Sequence, residues 1–193
     1  YRESKCSFEA SMTICFVAER YMLLIVFLFR PELIAISSDG NFSFINKKFE
    51  GIITEGKVDS KIKETTLNTY KEVGELIEKG ELKSALSKVM DYISLGNKYY
   101  DENTPWIKVK ENIEEFNDIT YTCTYMIVNI ANLIRPFLSE TSDKILNMLD
   151  ISKESNWQEK EITGNIKIVN NELLFNRIDD EETKSIMDKL NNK

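Results

Sequence analysis

The sequence predicts an all-α fold: an antiparallel helix bundle with a C-terminal extension. Three observations carry that prediction. Helix breakers are scarce, with 7 glycines and 3 prolines among 193 residues, and many of the remaining residues are straight-chain types that lose little freedom in a helix. Apolar residues make up 42% of the chain, enough for a sizeable core, and in successive segments they recur at helical spacing. Closely spaced strands with Gly-rich turns are not evident, which argues against a sandwich or a barrel. A chain of this length holds one domain, or a domain with a small appendage.

Residues 1–38 read as helix of high apolar density, interrupted near Pro31, which starts a new helix or kinks the old one. Tyr21 to Phe29 is an unbroken apolar run between Arg20 and Arg30. It is far short of the roughly 20 residues that span a bilayer. It also lacks the basic start and small-residue cleavage site of a signal peptide, so a helix buried on several faces is the better reading. Ser37-Ser38-Asp39-Gly40 reads as a turn. Phe42, Phe44, Ile45 and Phe49 form a second apolar patch that ends at Gly51, and residues 52–57 read as a loop.

Asp59 or Ser60 caps the next helix, whose apolar face is Ile62, Leu67, Tyr70, Val73, Leu76 and Ile77. Gly80 closes it from the position after the C-cap. Leu82, Ala85, Leu86, Val89, Met90, Ile93 and Leu95 mark a second helix, making a hairpin through Lys79-Gly80-Glu81. Thr104-Pro105 is a start signal, a hydroxyl N-cap followed by proline at the first helical position. Helix then runs through Trp106 and Ile107, with a break near Asn117-Asp118. It resumes through Tyr121, Tyr125, Val128, Ile130, Leu133 and Ile134, and Pro136 ends or kinks it. A shorter amphipathic helix spans Ser139 to Leu149. Beyond it Trp157 and the spaced Ile162, Ile166 and Ile168 suggest an extended or weakly paired segment, and Asp179 to Lys193 a charged surface helix. The expected division is a bundle over 1–150 and an extension over 151–193 that packs back on it.

Several chemistries are excluded by residue type. The chain has no histidine, so a His general base, a catalytic triad and a His metal site are ruled out. No Walker loop and no G-x-G-x-x-G occurs. The cysteines, Cys6, Cys15 and Cys123, are odd in number and never in C-x-x-C spacing. They read as small buried hydrophobes in a reducing compartment, with no metal site and no disulfide framework. The net charge is −7, with 32 acidic against 25 basic residues, the reverse of the usual basic footprint of a nucleic-acid binder. Any such footprint has to be local.

The segment Asn97-Lys98-Tyr99-Tyr100-Asp101-Glu102-Asn103-Thr104-Pro105-Trp106 resembles the methionyl-tRNA synthetase motif N-K/R-Y-x-D-x-x-x-P-W. Phe44-Ile45-Asn46-Lys47-Lys48-Phe49-Glu50-Gly51 is similar to that family's F-I-N-K-R-F-D-G stretch, and the Gly80-Glu81-Leu82 hairpin falls where the family places one. Leu133 to Thr141 resembles its L-x-P-x-x-P-x-x segment, and Leu174-Phe175-Asn176-Arg177-Ile178-Asp179 its L-F-x-R-I. Five motifs in the right order, over residues 41–182, make the likeness specific. It implies a helix bundle of the class I aminoacyl-tRNA synthetase anticodon-binding type. It also implies a site: the tryptophan of the P-W pair stacks on the first anticodon base, a cytosine, and the aspartate shares its pocket. Carried over, these are Trp106 and Asp101, with Asn97 and Pro105 shaping the pocket. The chemistry suits loop bases, which are read by stacking on aromatic faces and by hydrogen bonds to exposed edges. On sequence pattern alone Trp106 reads more readily as a core anchor than as a base platform, and only the resemblance reverses this; Asp101 reads equally as a capping or surface residue. Lys47, Lys48 and Lys98 are candidate phosphate contacts, against the default of lysines on a solvated face. Arg177 reads as a clamp between extension and bundle.

Two departures stand out. The family's N-x-x-x-R pair, one turn apart on the helix before F-I-N-K, falls here on Ile36 and Gly40, whose side chains cannot hydrogen-bond a base. Either cytosine discrimination is lost or the correspondence slips locally. The family's His-Ile-Gly-His and Lys-Met-Ser-Lys-Ser signatures are also missing. ATP and methionine would therefore bind a catalytic domain that this chain lacks, and the chain alone is expected to hold no cofactor and to activate no methionine. The partners implied are the tRNA(Met) anticodon stem-loop and a catalytic domain or subunit, with no membrane and no metal, in the cytoplasm. The alternative is a free-standing helical interaction or regulatory paralogue that has lost tRNA binding.

Overall fold

The computed structural model describes Ile45, residues 49–153 and residues 156–169. The expectations for residues 1–44, including the apolar run, Ile36 and Gly40, lie outside the described residues. So do those for Lys47, Lys48 and residues 170–193, Arg177 among them. The described elements, in order, are β1 (Ile52–Ile53), α1 (Ser60–Glu78), α2 (Leu82–Asn103), α3 (Pro105–Glu111), α4 (Ile113–Ile134), α5 (Ser139–Met148) and β2 (Ile166–Lys167).

Local chemistry starts and stops the first hairpin. Asp59 caps α1, its Oδ1 accepting from the backbone N–H of Lys61 at 2.8 Å and of Ile62 at 3.2 Å. Such a cap is worth about 1 kcal/mol. At the other end Gly80 adopts φ +76. Its N–H reaches the Ile77 carbonyl at 2.9 Å and the Glu81 N–H reaches Leu76 at 2.9 Å. This pair of bonds closes the helix through a left-handed residue. α1 buries Ile62, Thr66, Tyr70 and Val73, while Leu67, expected on the apolar face, is 49% exposed. Thr66 is buried instead because its hydroxyl is doubly satisfied, by the Ile62 carbonyl and by the Tyr92 hydroxyl of α2. α2 returns against α1 and buries Ala85, Val89, Tyr92, Ile93 and Gly96.

α4 is the central helix: every residue from Ile119 to Ile134 is buried, as expected of a helix enclosed on all sides. On one side lies a core of Val73, Val89, Tyr92, Met126 and Leu133 with their neighbours from α1 and α2. On the other lies a core of Val128 and Ala131 with Ile145 and Leu146 of α5, and with Ile53, Ile166 and Ile168. The helix break expected near Asn117-Asp118 lies at Asn112 instead, between α3 and α4. Asn112 is extended (φ −150, ψ 98) and its side chain accepts from the Glu115 N–H at 3.2 Å, a cap that starts α4. Asp118 is accommodated inside the helix because the Lys57 backbone N–H binds its carboxylate at 2.7 Å. α4 ends at Ile134, just before Arg135-Pro136.

Residues 52–57, expected as loop, begin with strand β1, which pairs antiparallel with β2 (Ile52 with Lys167, Ile53 with Ile166). The rest of the described extension lies along α1 and α4. The side-chain amide of Asn132 donates to the carbonyls of Asn156 and Gln158, each at 3.0 Å. Asn129 accepts from the Lys160 N–H at 2.8 Å and donates to the Lys160 carbonyl at 3.0 Å. Two asparagines in a buried helix thus satisfy the backbone of an extended segment, which otherwise could not be laid against apolar helices. The Tyr125 hydroxyl donates to Glu159 at 2.6 Å. Among the described residues no helix is long and apolar enough to cross a membrane.

Candidate nucleic-acid interface

The last turns of α2 and the start of α3 form a corner, and the residues of the N-K-Y-x-D-x-x-x-P-W pattern lie on it. Asn97 and Asp101 sit one turn apart on α2, so their side chains leave the same helix face. Asp101 is exposed and Asn97 half-buried. Thr104 ends α2 and precedes α3. Its hydroxyl makes no capping bond, contrary to the expectation for Thr-Pro. Instead its backbone is left-handed (φ 43, ψ 58), and its carbonyl accepts from Ile107 at 2.9 Å and Lys108 at 3.2 Å. The following proline bars Thr104 from the right-handed helical region, so α2 has to stop there. A β-branched residue in the left-handed region is strained by about 1–3 kcal/mol. Pro105 is the first residue of α3 and is buried.

Trp106 follows, and it is not a core anchor: it is 44% exposed. Its ring leans on that of Tyr100, with centroids 5.7 Å apart and planes at 55°, within the range of favourable tilted aromatic pairs. Tyr100 is half-buried. Burial pushes its hydroxyl up to about 12, helped by the negative charges that Cys123 and Asp101 would place nearby. Burial likewise pushes Tyr99 up to about 12. Both phenols are neutral at physiological pH and can donate hydrogen bonds. Asn103 donates from its amide to the Tyr99 carbonyl at 2.7 Å, closing the last turn of α2.

Lys98 is exposed and lies 3.7 Å from Glu102, one turn on. An exposed pair of this kind is weak, so Lys98 can be drawn to another anion. Lys108 and Lys110, in the last turn of α3, also carry positive charge close to this corner and belong to no motif of the sequence. Lys108 pairs with Glu115 of α4 at 3.0 Å, tying the short helix to the central one. Tyr100 carries no sequence signal either, because it occupies the unspecified position of the motif. No group of three His, Cys, Asp or Glu suited to a metal ion occurs among the described residues. Cys123 is fully buried, its thiol pushed up to about 12, and is thereby inert as a nucleophile.

Helix hairpin, central buried helix and exposed aromatic corner together define a helical anticodon-binding bundle of the class I synthetase type. The family profile described as the anticodon binding domain of methionyl tRNA ligase matches residues 52–193, and the chain belongs to that family. It is 38% identical over 138 residues to methionine–tRNA ligase 1 of Alkaliphilus oremlandii (strain OhILAs), covering 72% of this chain and 25% of that protein. It is 35% identical over 169 residues to methionine–tRNA ligase of Bacillus cereus (strain AH187), covering 85% of this chain and 31% of that one. Among solved structures it is similar to Mycobacterium tuberculosis methionyl-tRNA synthetase in complex with methionyl-adenylate. The TM-score is 0.65 at 16% identity, over 82% of this chain and 33% of that one, a likeness of fold. The chain therefore spans a quarter to a third of the length of these relatives.

Proposed function

We propose that this chain binds the anticodon stem-loop of tRNA(Met), as the anticodon-binding part of a methionine–tRNA ligase. The observation that carries this reading is the half-exposed indole of Trp106, presented at the start of α3 on the corner that also holds Asn97 and Asp101. An unpaired base stacked on that indole gains about 1–3 kcal/mol. The Asp101 carboxylate accepts from the exocyclic amine of a cytosine, while Asn97 and Pro105 bound the pocket. Lys98 is the candidate phosphate contact on this corner, and Lys47 and Lys48 are two more by their place in the sequence. Family membership supports the reading, and the relatives named above are methionine–tRNA ligases. ATP and methionine belong to the remaining part of such an enzyme; this sequence has no histidine, hence no His-Ile-Gly-His signature. The chain alone uses no cofactor or metal and drives no ATP–pyrophosphate exchange. It works in the cytoplasm, on tRNA and beside a catalytic domain or subunit.

The test is a fluorescence-anisotropy titration of a labelled anticodon stem-loop. Trp106→Ala is expected to weaken binding by about tenfold or more, the equivalent of one lost stacking contact. Asp101→Asn is expected to reduce the preference for cytosine over uracil at the first anticodon base. A second reading, a helical interaction or regulatory paralogue without RNA binding, draws on the net charge of −7 and on Ile36 and Gly40 at the Asn/Arg positions. Affinity equal to that for an unrelated hairpin, and unchanged by Trp106→Ala, favours this second reading and sinks the first.

A further inference from the structure

Tyr100 and Trp106 are six residues apart. In an unbroken helix, residues at that spacing lie about 120° apart around the axis and do not meet. Here they do, with ring centroids 5.7 Å apart, because the left-handed backbone of Thr104 breaks the helix between them and re-aims α3. Tyr100 belongs to a long helix packed against α1 and α4 and is half-buried, so it is the less free of the two rings. Trp106 belongs to a seven-residue helix and has 44% of its surface free. The more buried ring therefore supports the more exposed one. A large exposed indole with nothing beside it would sample several rotamers and would have to be ordered when a base arrives.

We infer that Tyr100 is a positioning residue for this site: its ring fixes the plane of the Trp106 indole, so that the free face of the indole is preset for a loop base. The inference rests on the base-stacking reading of Trp106 and adds a residue that the family pattern leaves unspecified. The hydroxyl is not needed for this role, since a tilted ring pair depends on the two faces and edges. Phenylalanine should replace Tyr100, and alanine should not. The left-handed turn at Thr104 is the hinge that makes the contact possible.

Two measurements on the full chain test this. The protein has two tryptophans, so 5-fluorotryptophan labelling yields two 19F resonances, and Trp106→Ala assigns them. In Tyr100→Ala the Trp106 resonance is expected to move towards its solvent-exposed position and to narrow, while that of Trp157 stays in place, which excludes general unfolding. In the stem-loop titration Tyr100→Ala is expected to bind about 3- to 10-fold more weakly, and Tyr100→Phe within about twofold of the unmodified protein. In the double variant Tyr100→Ala/Trp106→Ala the loss should not exceed that of Trp106→Ala alone, because Tyr100 acts through the indole. An unmoved Trp106 resonance in Tyr100→Ala overturns the inference. Unchanged affinity in Tyr100→Ala, alongside a loss in Trp106→Ala, overturns it while leaving the stacking reading intact. Unchanged affinity in Trp106→Ala removes the stacking reading, and Tyr100's role with it.

Discussion

At the scale of single residues, the extension is held by contacts that tolerate little change. Gly74 lies in the middle of α1, where glycine costs about 0.5–1 kcal/mol relative to alanine. It stays because the Trp157 indole occupies the space beside it: a Cβ there would come within 2.7 Å of the indole nitrogen. That nitrogen donates to the Tyr70 carbonyl at 3.1 Å, and the Tyr70 and Trp157 rings meet nearly edge-on at 5.6 Å. Gly74→Ala is therefore predicted to destabilise the protein by about 1–3 kcal/mol, despite its better helix propensity, because the indole has to move. Urea unfolding measures this; a stabilised variant would show that the Trp157 contact contributes little. Trp157 was recognisable in the sequence only as an apolar residue in an extended stretch. Its partner Gly74 carried no signal, since a glycine within a helical pattern does not announce what lies against it.

At the scale of elements, two backbone positions in the left-handed region respond oppositely to substitution. Gly80 has φ +76 and nothing within 4 Å of the space a Cβ would fill. The loss predicted for Gly80→Ala, about 1–2 kcal/mol, is thus purely conformational. Thr104 holds a similar conformation with a β-branched side chain, so Thr104→Gly is predicted to raise stability by about 1 kcal/mol. Thermal unfolding of the two variants should show shifts of opposite sign; a loss in Thr104→Gly would mean that the threonine side chain contributes more than its strain costs. Elements with local causes could be read from the sequence: the α1–α2 hairpin follows from Asp59 and Gly80, whose capping chemistry is complete within a few residues. Elements with distant causes could not. β1 is two residues long and pairs with a strand more than a hundred positions away. The α3–α4 break was misplaced because Asn112 and Asn117-Asp118 look alike as breakers; only the Lys57 N–H, from a separate loop, lets Asp118 remain helical. Thr104-Pro105 reads as a hydroxyl cap, and what the structure contains is a strained hinge.

At the scale of the whole molecule, burial and half-burial raise the pKa of several phenols and of one thiol. Burial, and then the Glu159 carboxylate, hold the Tyr125 hydroxyl far above its ordinary value. Burial does the same for Tyr70 and Tyr92, and it pushes Tyr99, Tyr100 and Cys123 up to about 12. The unfolded chain ionises these groups near their ordinary values, while the folded chain keeps its protons. Between about pH 9 and 12 the folded state thus binds more protons than the unfolded one, and stability falls as pH rises. The contribution is complete below about pH 9 and is lost through that window. Alkaline urea titrations should show a falling midpoint across it; a flat profile would mean that these groups are not buried in solution. The same molecule is acidic overall, so any RNA contact is local, and the α2–α3 corner is where it is proposed. Contacts there can be followed without disturbing the core.

The most direct measurement follows the two tryptophan indole N–H signals in a 1H–15N spectrum while unlabelled tRNA(Met) anticodon stem-loop is added. Base stacking on the corner predicts a saturable shift of the Trp106 signal, moved by the ring current of the stacked base. The Trp157 signal, locked onto Tyr70, is predicted to stay where it is. A Trp106 signal that holds its position at concentrations of stem-loop that saturate other resonances, or in the absence of any binding, would contradict it.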